Sequence, residues 1–159
     1  MYYAAAAIAI LILAELAAGR RLGTITLTAS NSRGLVDIYT LSHIIHGFIF
    51  YAVLPSFTLA VVVECIWEIL ENSPLVINRY RQTASVDYQG DTILNSVSDV
   101  AAMAAGYGIA CVAPVYAVVG LAVLFELFGL WWCRDNLTLN VVMLCWPSER
   151  IKRWQREEL

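Results

Sequence analysis

Charge is scarce in this sequence. Only 14% of its 159 residues are Asp, Glu, Lys or Arg, where a soluble domain carries about 25%. Hydrophobic residues make up 60%, and the mean hydropathy is +0.67. That shortage argues against an ordinary soluble domain, because several segments approach the roughly 20 apolar residues that cross a hydrocarbon core. An excess of positive charge is missing as well. A net charge of −3 and a pI of about 5.3 leave no basic footprint for nucleic acid. The four cysteines (Cys65, Cys111, Cys133, Cys145) have no CxxC spacing and read as small buried hydrophobes rather than as disulfide partners or metal ligands. Neither a G-x-S-x-G elbow nor the His-Glu-x-x-His pattern of zincins occurs. Gly106 and Gly108 lie in an apolar run, where small residues let helices pack closely; they do not read as a phosphate loop.

What is present is a series of apolar segments. Five spans are expected, at about Tyr2–Ala18, Val36–Leu54, Phe57–Leu70, Ile93–Val112 and Val115–Cys133. Turns at Pro55-Ser56 and Ala113-Pro114 separate two of the pairs, since proline cannot continue a helix interior. The opening "MYYAAAAIAILILAELAAGRR" has its arginines after the apolar run rather than before it, so it reads as a retained helix and not as a secretory signal. The expected fold is an all-α polytopic membrane bundle forming one transmembrane domain over residues 1–159. It divides into a first span (1–18), a loop (19–35), a four-span core (36–133), and an interfacial segment with a charged tail (134–159). In that tail "LTLNVVMLCW" is too short to cross, and Trp146 and Trp154 suit the headgroup level.

With five crossings, all ten Lys and Arg fall on one side, and the turns at Pro55 and Pro114 carry none. Positive charge in short loops marks the cytoplasmic face. The expected orientation is therefore N-terminus periplasmic and C-terminus cytoplasmic, in a bacterial inner membrane.

That orientation gathers the polar residues. His43 and His46 are three apart, and Glu64, Glu68 and Glu71 are spaced four and three. Asp91, Asn95 and Asp99 are spaced four and four, so each set shares a helix face. At 1.5 Å per residue, His43, Glu64, Asp99 and Glu126 lie at a common depth of about 10 Å from the cytoplasmic end. Glu68, Glu71, Asn95, Asp91 and Asp135 form a shallower layer. Ionisable groups at membrane depth face a bundle interior or a wet cavity. This constellation can serve as hydrogen-bond glue, as a divalent-metal site of imidazoles and carboxylates, or as a site for protons, ions or a small ligand. The candidate metal ligands are His43, His46, Glu64, Glu68, Asp91 and Asp99. Arg79 and Arg81, with Tyr80 and Tyr88, form a lip that can grip an anionic headgroup or simply anchor the loop, pairing with Asp87 or Glu71. Asp91 or Thr92 can cap the helix that follows.

The strings "HIIHGFIFY", "WEILENSPLVINRYR", "YQGDTILNSVSD" and "RDNLTLNVVMLCWPSERIKRWQ" resemble a family of small alphaproteobacterial inner-membrane proteins, a domain of unknown function. The resemblance runs from about Asp37 to the C-terminus, and implies a cytoplasmic-membrane protein but no reaction. Its motifs fall on His43, His46, Glu68, Glu71, Asn72, Arg79, Arg81, Asp91, Asn95, Asp99, Asp135 and Asn136. Family members carry a longer first loop with a Cys-x-Cys-Gly element, which "GRRLGTITLTASNSRG" lacks. The layout is also similar, more remotely, to VanZ-like membrane proteins.

Two functions of different class follow. One is a membrane-embedded, cytoplasm-facing site for a divalent metal or a lipid headgroup, with hydrolysis as its chemistry and membrane lipid as its partner. The other is a non-catalytic accessory or assembly subunit of a larger energy-converting complex, respiratory or photosynthetic. The aromatic "FELFGLWWC" face motivates the second.

Overall fold

The computed structural model describes residues 2–25, 34–83 and 88–156. Those residues form eight helices: α1 (Tyr2–Ala17), α2 (Thr40–Val53), α3 (Phe57–Glu71), α4 (Pro74–Arg81), α5 (Ile93–Val112), α6 (Val115–Cys133), α7 (Leu137–Cys145) and α8 (Glu149–Arg156). The five expected spans are all helices, and α5 and α6 have the expected bounds. Arg33 and Asp87 lie outside the described residues, as does any pairing of the lip arginines with Asp87.

Side-chain caps set several helix starts. Ser56, Ser73, Thr92 and Asn136 each accept from the backbone N–H three residues on, at 3.3, 3.4, 3.4 and 2.8 Å, satisfying donors that a helix start leaves open. Thr92 therefore fills the capping role expected of Asp91 or Thr92. Pro114 precedes α6 and Pro74 opens α4, where a missing N–H costs nothing. α2 begins four residues later than expected. Asp37 Oδ1 accepts from the N–H groups of Tyr39 (2.8 Å) and Thr40 (3.3 Å), which turns the chain before the helix begins.

α2 lies against α5 more extensively than any other pair of helices. Two glycines allow it: a Cβ at Gly47 would sit 2.1 Å from the Met103 carbonyl oxygen, and one at Gly106 would sit 2.1 Å from that of Ile44. Gly108 faces open space, so only Gly106 fills the close-packing role expected of the two. A core of Leu11, Ala60, Val61, Cys65, Val100 and Met103 joins α1, α3 and α5, and Ile45, Phe48 and Ala110 join α2 and α5 to α6. Of the cysteines, Cys65 is buried and Cys133 half-buried, its thiol donating to the Gly129 carbonyl at 3.3 Å. Cys111 and Cys145 are exposed, against the expectation that all four are buried.

α6 is both long and apolar enough to cross a membrane, with mean hydropathy 1.9 and only 6% of its residues buried. α1 and α2 are apolar but shorter. On α6, Phe128, Trp131 and Trp132 form an exposed ring cluster with centroids 5.9 Å apart.

Arg20, Arg81 and Arg156 converge on the segment between α3 and α5, where Arg81 donates to the Tyr88 carbonyl. Arg20 donates to the carbonyls of Gln89 (2.6 Å) and Asn72, and approaches Glu15 at 3.9 Å. The N–H groups of Ile93 and Leu94 donate to the carbonyls of Arg21 and Leu22, both at 3.0 Å. Arg134 donates to the Trp154 carbonyl (3.0 Å) and Arg156 to that of Thr83 (2.8 Å). Arg134 itself closes α6 at φ 55°, its own N–H reaching the Leu130 carbonyl at 3.1 Å.

Candidate functional site: a buried imidazole–carboxylate cluster

α2, α3 and α5 place His43, Glu64, Glu68 and Asp99 together, all buried, with Glu64 and Glu68 at 0% exposure. The His43 ring is the junction. Its Nδ1 lies 2.6 Å from Glu64 Oε1 and 3.4 Å from Glu68 Oε1, and its Nε2 lies 3.9 Å from Asp99 Oδ2. His46 Nδ1 meets both Glu64 oxygens, at 3.2 and 3.1 Å, and its ring stacks on Phe50 at 5.8 Å. Asp99 Oδ1 accepts from the Thr40 hydroxyl at 3.2 Å.

Two ligand sets arise: His43–His46–Glu64 and His43–Glu68–Asp99, each with donor atoms within 4.8 Å of one another. They differ in what their oxygens already do. Glu64 is fully occupied by the two imidazoles, whereas neither oxygen of Glu68 has a hydrogen-bond partner. A buried carboxylate without a partner carries a large desolvation cost, and a cation removes it.

The cluster borders a cavity of about 360 Å³, lined by His43, His46, Glu71, Asp91, Asn95 and Asp99 on its polar side. Phe50, Val63, Trp67, Leu137, Val141 and Leu144 line it elsewhere. Asp91 Oδ2 accepts from the Tyr88 hydroxyl at 2.9 Å, and the Asp91 N–H donates to Asn72 Oδ1 at 2.6 Å. Asn72 also donates to the Ser96 hydroxyl at 3.1 Å, pinning the end of α3 to α5. The Tyr80 hydroxyl bonds to Glu71, and the Tyr80 and Tyr88 rings meet edge to face at 5.2 Å. Burial, and then the charges of Glu71 and Asp91 respectively, push both phenols well above their usual range, so they remain neutral donors.

Of the predicted residues, His43, His46, Glu64, Glu68 and Asp99 come together. Asp91 sits on the cavity wall, eight residues before Asp99, outside both ligand sets. Arg79 and Arg81 do not line the cavity: their Nε atoms donate to the carbonyls of Leu144 (3.0 Å) and Tyr88 (2.6 Å), holding two residues that do. Glu126, expected at the depth of His43, turns away, accepting from the N–H groups of Leu137 (3.0 Å) and Thr138 (3.1 Å) at the start of α7. Asp135 lies apart from the cluster, accepting from Tyr39 (3.2 Å) and Gln155 (3.0 Å). Sequence reasoning missed Asp37, Tyr39, Trp67 and Asn140 on the wall; Trp67 stands one residue before Glu68, and periodicity alone gave no reason to single it out.

The family described as "Protein of unknown function (DUF2585)" matches residues 20–157. The chain belongs to this family. It is 50% identical over 139 residues to a UPF0314 protein of Rhizobium meliloti (strain 1021), covering 80% of this chain and 71% of that one. It is 46% identical over 144 residues to one of Novosphingobium aromaticivorans (80% and 73%) and 45% identical over 141 to one of Paracoccus denitrificans (82% and 73%). The alphaproteobacterial resemblance read from the motifs is thereby shown. No solved structure matches the chain.

Proposed function

We propose that this DUF2585 member is a multi-pass protein of the cytoplasmic membrane that binds one divalent metal ion through His43, Glu68 and Asp99 beside its cavity. The observation that carries this is Glu68, wholly buried with neither oxygen hydrogen-bonded, beside a His43 ring whose Nδ1 is held by Glu64 and whose Nε2, 3.9 Å from Asp99 Oδ2, is left for an ion. Imidazole and carboxylate together suit zinc, manganese or iron. Glu64, on Nδ1 of His43, would orient that ring as carboxylates commonly orient metal-bound histidines. An ion held by these residues would supply the Lewis acidity that hydrolysis needs.

The membrane placement draws on α6 and on the meeting of Arg20, Arg81 and Arg156 at the segment between α3 and α5. α1, α2, α3, α5 and α6 would cross, with that segment cytoplasmic. α2 and α3, of 14 and 15 residues, reach only about 21–23 Å, so the bilayer would thin beside them.

Elemental analysis of the detergent-purified protein tests the metal. Near-stoichiometric zinc, manganese or iron is expected in the wild type, lost in both His43→Ala and Glu68→Gln. Glu68→Gln should remain as thermostable as the metal-free wild type, because it removes a buried charge without changing shape. A wild type that purifies empty and takes up no ion from buffered metal refutes the site. Thiol labelling tests the topology: Cys145 should react from the cytoplasmic side and Cys111 from the periplasmic side. The second function, an accessory subunit, draws on the exposed Phe128–Trp131–Trp132 cluster; native purification in mild detergent should then retain one fixed partner.

A further inference from the structure

The cavity is richer in acid than one metal ion can balance. Asp37, Glu71, Asp91 and Asp99 line it; among the described residues its basic groups are His43 and His46, both already held by Glu64, and no Lys or Arg lines it. A bare phosphate or carboxylate headgroup would meet repulsion there. Glu71 and Asp91 are each bonded to a tyrosine whose ring packs on the other's. Carboxylates beside aromatic faces form the chemistry that receives ammonium groups.

A second observation is independent of these acids. Asn95 lines the cavity at 1% exposure, and its Nδ2 has no hydrogen-bond partner. An unmade buried donor is costly, and an acceptor oxygen on a ligand would satisfy it. Asn95, in the first turn of α5, lines the same cavity as Asp91, which stands just before the Thr92 cap, so one ligand can present its oxygen to the first and its ammonium to the second. Across from this polar wall, Phe50, Val63, Trp67, Leu137, Val141 and Leu144 offer an apolar surface. The volume of about 360 Å³ falls in the lower part of the range for small-molecule sites, enough for a head and the start of a chain.

We infer that the cavity receives an amphiphile with an amino-alcohol head: its ammonium against Glu71 and Asp91, its oxygen on Asn95 Nδ2, its apolar body along α7. This goes beyond the metal site, because the wall it uses lies outside the His43–Glu68–Asp99 set.

Four probes of one chain length test it on the full chain in maltoside micelles: 2-amino-1-dodecanol, dodecylamine, 1-dodecanol and dodecyl phosphate. The amino alcohol should bind tightest, about tenfold better than the amine, with the alcohol and the phosphate weaker still. Asp91→Asn and Glu71→Gln should each weaken both amines about tenfold or more and leave 1-dodecanol unchanged, which shows the cavity intact. Asn95→Ala should erase the gap between the amino alcohol and the amine. Equal binding of all four heads, or tighter binding of the phosphate, overturns the inference, as does unaltered amine affinity in both acid variants. Metal content read on the same samples keeps the two ideas apart: a metal-free protein that still prefers the amines refutes the metal site alone.

Discussion

Gly106→Ala should loosen the whole site although it touches no ligand. The added Cβ would lie 2.1 Å from the Ile44 carbonyl oxygen, where real Cβ atoms do not come within 3.0 Å. The obstacle is backbone, so no side chain can swing away, and α2 must move from α5 by about 1 Å. Overpacking of this kind costs about 1–3 kcal/mol, and a rigid backbone contact belongs near the top of that range. For a chain of this size about 3 kcal/mol corresponds to a Tm lower by about 6–12 °C. The displacement also separates His43 on α2 from Asp99 on α5, now 3.9 Å apart, so metal occupancy should fall with stability. Thermal melts and metal content of the detergent-solubilised protein provide the readout. Gly108→Ala is the control: its Cβ meets nothing within 4 Å, and alanine is favoured in a helix by about 1 kcal/mol, so that variant should melt at or above the wild type. Were Gly106→Ala to melt with Gly108→Ala and keep its metal, the close α2–α5 approach would be wrong.

Two further outcomes follow from other contacts. Arg20→Ala removes the cation beside the buried Glu15 and the bonds to Gln89 and Asn72; it should cost about 3–5 kcal/mol, and adding Glu15→Gln should restore part of it in a double-mutant cycle by thermal melts. Burial pushes the Asp135 carboxyl up to about 6, despite hydrogen bonds from Asn136, Tyr39 and Gln155. Its folded-state pKa thus exceeds that of the unfolded chain, so the stability it contributes is fully present below pH about 4 and is lost as pH rises through about 6. Melts across that window should show a decline that Asp135→Asn flattens.

Five helices were legible because apolar length and proline punctuation mark them, and Thr92 and Pro114 fix the ends of α5 and α6 as the sequence suggests. α4 carries a start signature in Ser73-Pro74, an N-cap hydroxyl followed by proline at the first position, but its eight residues lack the apolar length that marks the other five. The start of α2 was misplaced because the Asp37 turn depends on which N–H groups its carboxylate reaches, and hydropathy does not record that. Matching depth found His43, Glu64 and Asp99 correctly, since residues at one level on packed helices meet if they face inward. Glu126 shares the level but points towards α7, and depth holds no information about rotation around a helix axis. The lip arginines were assigned by charge, yet carbonyls at Leu144 and Tyr88 claim their Nε groups. Position along the chain cannot weigh a ligand against a backbone acceptor.

His43 answers three acids on two other helices with one ring. Substitution at Glu64, Glu68 and Asp99 is therefore tied together: a lineage that gives up the imidazole leaves Glu68 bare, Glu64 with His46 alone and Asp99 with the Thr40 hydroxyl alone, and should replace acids on α3 and α5 in the same interval. Such joint replacements are rare, which makes this ring the position where the family's inheritance should be most rigid.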